Sequence, residues 1–428
     1  MKKRNFKFLV LLVGLFISIV LTGCGGGEQT GGSETTQKVE YKETGETKGE
    51  VAQGVTDSEI LVGHLGPQTG PAASYDLVRK TLETYFAYVN ENGGIDGRKL
   101  KLVAYDDQYQ PAKTVQLAKR LVEEDKVFAV LANVCTACNA AAQDYYVEKG
   151  IPTLMLSTGA KQFVDPPIKN FMGTNTFNYA IEAKVFLDYA VNELGAKNIS
   201  VAYQNDGFGK EGYEALMKEV EKYEGLTVVE EVNFLATDVE FSSQAKKLKD
   251  ANADAIIAFA IPSPAANLKK ALYKVGTDSP FIVSSVGGND PNQFKLAGEK
   301  EWNGMITSAT VPMPGQSDDE SLKLYEELYS KAYPNDPLVG VNQLGWGAAE
   351  VFVEALKRTE GDLTWDNFLK AFYTFEGWDG SMYDSVTFSE NNHYGITSLF
   401  MTKAQDGKIV PISDVIQYDP ATGEIKYK

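Results

Sequence analysis

The sequence predicts an α/β protein made of two doubly wound lobes with parallel sheets. Three observations predict it. From Glu59 onward, short apolar runs alternate with amphipathic stretches, the rhythm of parallel strands covered by helices on both faces. The rhythm runs once to about Leu156 and restarts after Phe177. The body from Val55 to Lys428 also exceeds what one hydrophobic core usually supports. No short-period repeat of the solenoid kind interrupts this pattern.

The first series opens with Ile60-Leu61-Val62 as a strand. Leu77 to Asn92 places Val78, Leu82, Tyr85, Phe86 and Val89 on one helical face. Asn92-Gly93-Gly94 stops that helix, because glycine takes a left-handed turn without a side-chain clash. Lys99 to Tyr105 alternates as a strand. Pro111 suits the first turn of a helix carrying Val115, Ala118, Leu121 and Val122. Val127 to Leu131 is a continuous apolar run, as a buried parallel strand requires. A helix from Cys138 to Lys149 and a strand from Pro152 to Leu156 follow.

The second series has helices over Tyr179 to Leu194 and Gly209 to Tyr223. Its strands fall at Ile199 to Tyr203, Leu226 to Val232, Ala255 to Ala260 and Phe281 to Ser285. After Trp302, helices are expected near Asp318 to Ala332, Val341 to Thr359 and Trp365 to Thr374. The last fifty or so residues read as short strands and turns.

The first residues have a different character. Lys2, Lys3, Arg4 and Lys7 precede an apolar run from Phe8 to Leu21, which ends in Leu21-Thr22-Gly23-Cys24. This is the order of a secretory signal, and the run is shorter than the roughly 20 residues that span a bilayer. The ending resembles a bacterial lipobox, which implies a signal peptide over residues 1–23 and a lipid on Cys24. Residues 24–54 are rich in Gly, Glu, Thr and Lys without apolar periodicity. They are expected to form a flexible tether.

The net charge is −17. A signal peptide takes four basic residues and no acid with it, so the mature chain would carry −21. Such a surface repels phosphate backbones, which excludes nucleic acid as the expected partner. Beyond Cys24 the only cysteines are Cys135 and Cys138, and the only histidines are His64 and His393. That is too few ligands in metal spacing for a zinc site, so no metal is expected. The two cysteines read as small residues at a helix start, open to pairing in an oxidising compartment.

In open α/β sheets, ligands sit beyond the carboxyl ends of the strands. That rule selects loops 63–75, 106–110, 133–139, 157–160, 204–210, 261–265 and 285–290. The first contains Gly66-Pro67-Gln68-Thr69-Gly70-Pro71, which lacks the Gly-Lys-Ser/Thr of a phosphate loop. Thr136 either caps the helix it precedes or donates to a carboxylate beside a backbone N–H. Ser157, Thr158 and Gly159 occupy the same place one strand later. Tyr75, Tyr109 and Phe208 are aromatics on or beside these loops, suited to lining a pocket or to packing the loops themselves. Asp106-Asp107 reads as a solvated or backbone-bonded acidic turn ahead of a cation site. No serine stands in a nucleophile elbow, and no nucleophile–base pair emerges, so no enzyme is expected.

Several stretches carry a resemblance. They are Ile60-Leu61-Val62-Gly63 with Gln68-Thr69-Gly70-Pro71, the run from Asn90 to Leu100 (Asn-Glu-Asn-Gly-Gly-Ile-Asp-Gly-Arg-Lys-Leu), and Asp106-Asp107 with Pro111-Ala112-Lys113. Lys149-Gly150-Ile151-Pro152 and the run from Gln204 to Gly209 complete it. The chain resembles the type I periplasmic binding proteins of the leucine/isoleucine/valine-binding class over essentially its whole body. The resemblance implies two lobes joined by a hinge of three crossings. Lobe 1 would comprise residues 55–176 and 307–380, and lobe 2 residues 177–306 with most of 381–428.

It further implies a small-molecule solute held between the lobes and the permease subunits of an ABC importer as partners. The protein would be a monomer without cofactor, lipid-anchored on the outer face of the cytoplasmic membrane or the periplasmic side of an envelope membrane. Family ligand positions fall on Tyr75, Thr136, Ser157, Gly159 with Thr158 between, and Phe208; Gln68 of the first loop joins them. Amino-acid-binding members pair the ligand ammonium with an acid at the end of a lobe 2 strand. Here that position is Ser285, and a family tyrosine falls near Ile261 or Pro262. The expected solute is therefore a small carboxylate or amide without an α-ammonium. A true branched-chain amino acid receptor, with Asp206 or Asp290 as substitute partner, and a sensor subunit for a membrane receptor are the alternatives.

Overall fold

Strand β1 (Glu59–Gly66) leads through α1 (Asp76–Glu91) to β2 (Lys99–Asp106), and α2 (Pro111–Lys119) leads on to β3 (Ala129–Leu131). Helix α3 (Thr136–Lys149), β4 (Thr153–Leu156) and β5 (Phe171–Thr174) complete a five-stranded parallel sheet in the order β2-β1-β3-β4-β5. This computed structural model describes residues 51–427 except 71, 312 and 316–318. The expected signal peptide, Cys24 and most of the tether lie outside the described residues. Among the described residues, no helix is long and apolar enough to cross a membrane.

The chain then crosses to a second series: α4 (Tyr179–Asn192), β6 (Asn198–Gln204), α5 (Gly207–Val220), β7 (Thr227–Phe234), α6 (Ser242–Ala251) and β8 (Ala255–Phe259). It continues through α7 (Pro262–Lys274), β9 (Phe281–Val283), α8 (Ser285–Gly288), α9 (Gln293–Ala297), α10 (Glu299–Trp302) and β10 (Ile306–Ala309). These strands pair in parallel in the order β7-β6-β8-β9-β10, the same winding as the first sheet.

A second crossing returns the chain to α11 (Glu320–Ala332), α12 (Gly340–Lys357) and α13 (Trp365–Phe372), then to the hairpin β11 (Thr387–Ser389) and β12 (Asn392–Gly395). A third leads to β13 (Ser398–Gln405), β14 (Lys408–Pro411), β15 (Ile416–Asp419) and β16 (Glu424–Tyr427). The first crossing is short: Asn175, Thr176 and Phe177 connect β5 to the Asn178 cap of α4.

Three expectations shift. The border expected at residue 307 falls inside β10, which is hydrogen-bonded to β9, so the second lobe extends to Ala309. The hairpin β11–β12, expected in the mainly lobe 2 segment after residue 380, lies against β5 of the first sheet. The second sheet is not purely parallel, because β13 pairs antiparallel with β10 and carries β14, β15 and β16.

The first lobe is held by apolar faces meeting at close range. Helix α12 packs on α1, with Phe352 6.0 Å from Phe86 and Trp346 edge-on to Tyr85 at 4.7 Å. Gly345 permits that approach, since a Cβ there would lie 2.4 Å from the Val78 carbonyl oxygen. At the end of α1, Gly94 has φ +70° and a Cβ would meet the Arg98 carbonyl oxygen at 2.1 Å, so only glycine makes that turn. His64 is buried on β1 with Nδ1 3.0 Å from the Leu131 carbonyl, and burial lowers its pKa to about 4. It is a neutral core residue.

Candidate functional site

The carboxyl ends of both sheets open toward one cavity. Its wall from the first lobe is made by Tyr75, Tyr109, Thr136, Ser157 and Val341; its wall from the second includes Tyr179, Phe208, Ile261, Ser285 and Asn289. Thr176, Phe177, Thr310 and Val311 of the first two crossings close one side. The cavity holds about 50 Å³, against about 150 Å³ for an apolar cavity that admits benzene.

The first loop is tied down before it reaches the cavity. Asp106 accepts from the backbone N–H of Gln68 at 2.9 Å and of Gln108 at 3.0 Å, and from the Thr69 hydroxyl at 2.6 Å. Partial burial raises the Asp106 carboxyl, but these hydrogen bonds outweigh it and hold it below its usual value. Asp107 accepts from the Tyr109 N–H and the Thr114 hydroxyl. The acidic pair is thus the backbone-bonded turn anticipated from the sequence. Among the described residues, no group of His, Cys, Asp and Glu is arranged to hold a metal ion.

The first turn of α3 faces the cavity through Cys135 and Thr136. Cys135 has φ +86° and is bridged to Cys138. The helix starts at Thr136, two residues earlier than expected, with Cys135 as its cap. The leading N–H groups of a helix have no intrahelical acceptor, so this turn offers donors to a carbonyl or carboxylate oxygen. The Thr136 hydroxyl lies 2.7 Å from that of Thr158, and the Tyr179 phenol of the second lobe is close enough to interact with both. Burial pushes the Tyr179 phenol up to about 12 and the Tyr75 and Tyr109 phenols well above their ordinary value, so all three remain protonated.

Of the eight residues expected at the site, the structure brings Tyr75, Thr136, Ser157, Phe208 and Ser285 to the cavity wall. Three do not reach it. Gln68 uses its backbone on Asp106. Thr158 is fully buried behind Thr136, where it also accepts from the Ala160 N–H. Gly159 packs under the first crossing; a Cβ there would strike the Phe177 carbonyl oxygen at 1.9 Å. The Ser157 hydroxyl donates to the Ala132 carbonyl and accepts from Asn175 Nδ2, so it presents its remaining lone pair.

No side chain lining the cavity among the described residues is charged. The nearby acids are already engaged. Asp206 caps α5, accepting from the N–H of Phe208 at 3.0 Å and Gly209 at 3.1 Å and from Gln204 Nε2. Asp290 is buried and accepts from the Asn292 N–H; burial pushes its carboxyl up to about 6.

Glu182 is the residue the sequence reading missed. It lies fully buried behind Ser285 and accepts from the hydroxyls of Ser284 and Ser308, both at 2.6 Å, and from the Ser285 N–H at 2.8 Å. Burial raises its carboxyl against the pull of these donors. The signal was a lone acid between Tyr179 and Phe186, at positions i−3 and i+4 on a buried helical face.

The lobes touch around the cavity. The Tyr75 hydroxyl donates to the Val286 carbonyl, and the Lys161 N–H donates to Glu211 at 2.6 Å. Gly340 of α12 sits against Asn289, where a Cβ would approach the Asn289 carbonyl oxygen to 2.8 Å. Asn289 Oδ1 is buried without a hydrogen-bond partner among the described residues.

Residues 59–408 match the family described as periplasmic binding protein. A Leu/Ile/Val-binding protein homolog of Brucella melitensis is 23% identical over 354 residues, covering 82% of this chain and 93% of its own. Among solved structures, a fatty acid ABC transporter substrate-binding protein from Thermomonospora curvata superposes with a TM-score of 0.79 at 21% identity, over 88% of this chain and 96% of that one. A branched-chain amino acid transporter substrate-binding protein from Streptococcus pneumoniae, in complex with isoleucine, gives 0.73 at 20% identity, over 84% and 100%. At these identities the structural likeness concerns the fold.

Proposed function

This chain belongs to the periplasmic binding proteins, in the type I class of the Leu/Ile/Val-binding proteins, and we propose that it captures a small carboxylate- or carboxamide-bearing solute without an α-ammonium for an ABC-type importer. The observation that carries the reading is the uncharged cavity wall. A buried ammonium without a carboxylate partner is strongly disfavoured, and Asp206, Asp290 and Glu182 are each held by protein donors. The polar end of the solute would meet the first turn of α3, the Thr136 hydroxyl and the tyrosine hydroxyls. Its apolar body would meet Phe177, Phe208, Ile261, Val341 and Leu344. The fatty acid-binding neighbour supports a carboxylate ligand on this fold without an amine.

In this reading the domain works outside the cytoplasmic membrane as a monomer, with Cys24 lipidated and residues 24–54 as tether. Ligand contacts to both lobes drive closure, and permease subunits read the closed form. Capture without turnover accords with the binding proteins it resembles. A second reading, a branched-chain amino acid receptor, is favoured by the Brucella relative and the isoleucine-bound neighbour. It requires an ammonium partner that the lining does not supply.

The test is calorimetric titration of the full chain in detergent, unfolded and refolded under oxidising conditions to strip carried-over solute. Leucine, isoleucine, valine and phenylalanine are compared with their deaminated acids and primary amides. Binding of acids or amides is expected, strongest for the smaller members given the cavity volume. Binding confined to the amino acids would establish the second reading instead.

A further inference from the structure

We infer that the Cys135–Cys138 bridge is a positioning element of the solute site: it holds the first turn of α3 in the geometry that presents its N–H groups to the cavity. The inference rests on the proposed capture of a carbonyl or carboxylate oxygen at that turn.

The geometry is specific. Cys135 stands on the cavity wall between Val134 and Thr136, and both sulfurs are buried at the point where β3 passes into α3. Its φ of +86° is a conformation that side-chain-bearing residues rarely adopt, and the next residue begins the helix. The side chain that would ordinarily cap such a turn through oxygen is replaced by sulfur: Cys135 Sγ accepts from the Cys138 N–H at 3.1 Å while bonded to Cys138 Sγ. The Cys135 carbonyl is occupied by the Asn139 N–H and Nδ2, each at 3.0 Å. The bridge therefore acts on the leading edge of the helix, at Thr136 and Ala137. Those two residues also face the second lobe: a Cβ on Gly207 would come to 3.5 Å from Thr136 Cγ2 and 3.7 Å from the Ala137 nitrogen. Rotation of this turn would alter both the donors offered to a solute and the surface on which the lobes close. Among the described residues, no group of His, Cys, Asp and Glu that includes the pair is arranged to hold a metal ion.

The experiment separates the backbone role from the sulfur itself. Cys135→Ala with Cys138→Ala removes the bridge and leaves a residue ill-suited to φ +86°. Cys135→Gly with Cys138→Ala removes the bridge but restores a residue that adopts this φ freely. Hydrogen–deuterium exchange over residues 132–140 of the full chain is read without ligand, and titration with the acids and amides above is read in parallel. The wild type is also measured after reduction by a dithiol, which passes two electrons and two protons to the sulfur pair and becomes a cyclic disulfide.

Exchange over 132–140 is expected to rise at least tenfold in the alanine pair and in reduced wild type. The glycine pair should recover most of the protection and of the affinity. Unchanged exchange in the alanine pair would overturn the inference. So would altered exchange with unaltered affinity for a solute that binds. If no acid or amide binds the wild type, the capture reading fails and the exchange data still decide whether the bridge positions the turn.

Discussion

The Tyr75 hydroxyl on the first lobe donates to the Val286 carbonyl on the second across 2.8 Å. This bond exists only while the lobes are together, and it stands beside the cavity it helps to enclose. Tyr75→Phe keeps the ring and removes the bond. A net loss of about 1 kcal/mol is expected, shifting closure toward the open form and weakening solute binding about fivefold. Small-angle scattering without ligand should show a larger radius of gyration, with the melting temperature little changed. An unchanged radius and affinity would mean the contact contributes nothing to closure.

Gly340 and Gly207 give a paired test of the closure surface. A Cβ at Gly340 would sit 2.8 Å from the Asn289 carbonyl oxygen, whereas at Gly207 the nearest atom would be 3.5 Å away. Neither has a positive φ, so alanine strains neither backbone. Gly340→Ala should prop the lobes apart and weaken binding at least tenfold, and Gly207→Ala should be near neutral. Equal effects on affinity would show that the lobes do not bind solute in this arrangement.

Asn289 is a polar side chain on the second wall, and its Oδ1 has no partner among the described residues. Asn289→Asp changes charge with almost no change of shape. Under the proposed function it should gain measurable affinity for amino acids and lose at least tenfold for the deaminated acids. The calorimetric panel reads both changes at once, and an unaltered order of preference would place the solute away from Asn289.

Asp290 makes stability depend on pH. Burial raises its carboxyl from 3.8 to about 6 in the fold. Between those values the folded chain holds a proton that the unfolded chain has released. Its contribution is therefore fully present below about pH 4 and lost as pH rises through about 6. Two pH units correspond to roughly 3 kcal/mol. Denaturant unfolding of wild type and Asp290→Asn from pH 4 to 8 should give a difference that grows in favour of the variant as pH rises. A difference independent of pH would mean the carboxyl titrates normally.

Much of the fold was legible because its strands and helices are long enough to show their period. The face of Val78, Leu82, Phe86 and Val89 is the buried face of α1, and the apolar run before Cys135 contains β3. The strands β5 and β10 escaped notice. Each has four residues and, unlike the short β3 and β9, runs straight into a crossing instead of a helix of its own lobe. That is also why the border at residue 307 was misplaced. Cavity-wall residues at strand ends were reached by the sheet rule, as with Thr136 and Ser285. Val341 and Leu344 were not, because they arrive from α12, which follows no strand of the first sheet directly. Thr158 lies off the wall for a different reason: alternate residues at a strand end face opposite ways, and the sequence does not mark which of the two faces the cavity.

The ends of the two sheets bear on how the protein survives at high local concentration. An unpaired strand at a sheet edge is a template for another chain. Here β5 is shielded by the hairpin β11–β12, and β10 is continued by β13. The remaining edges carry charge: Lys99 and Lys101 are exposed on β2, Glu231 on β7, and Glu424 on the four-residue β16. The hairpin and the C-terminal strands, which contribute no residue to the cavity wall, thus protect against edge-to-edge aggregation, and their deletion would be felt first as insolubility.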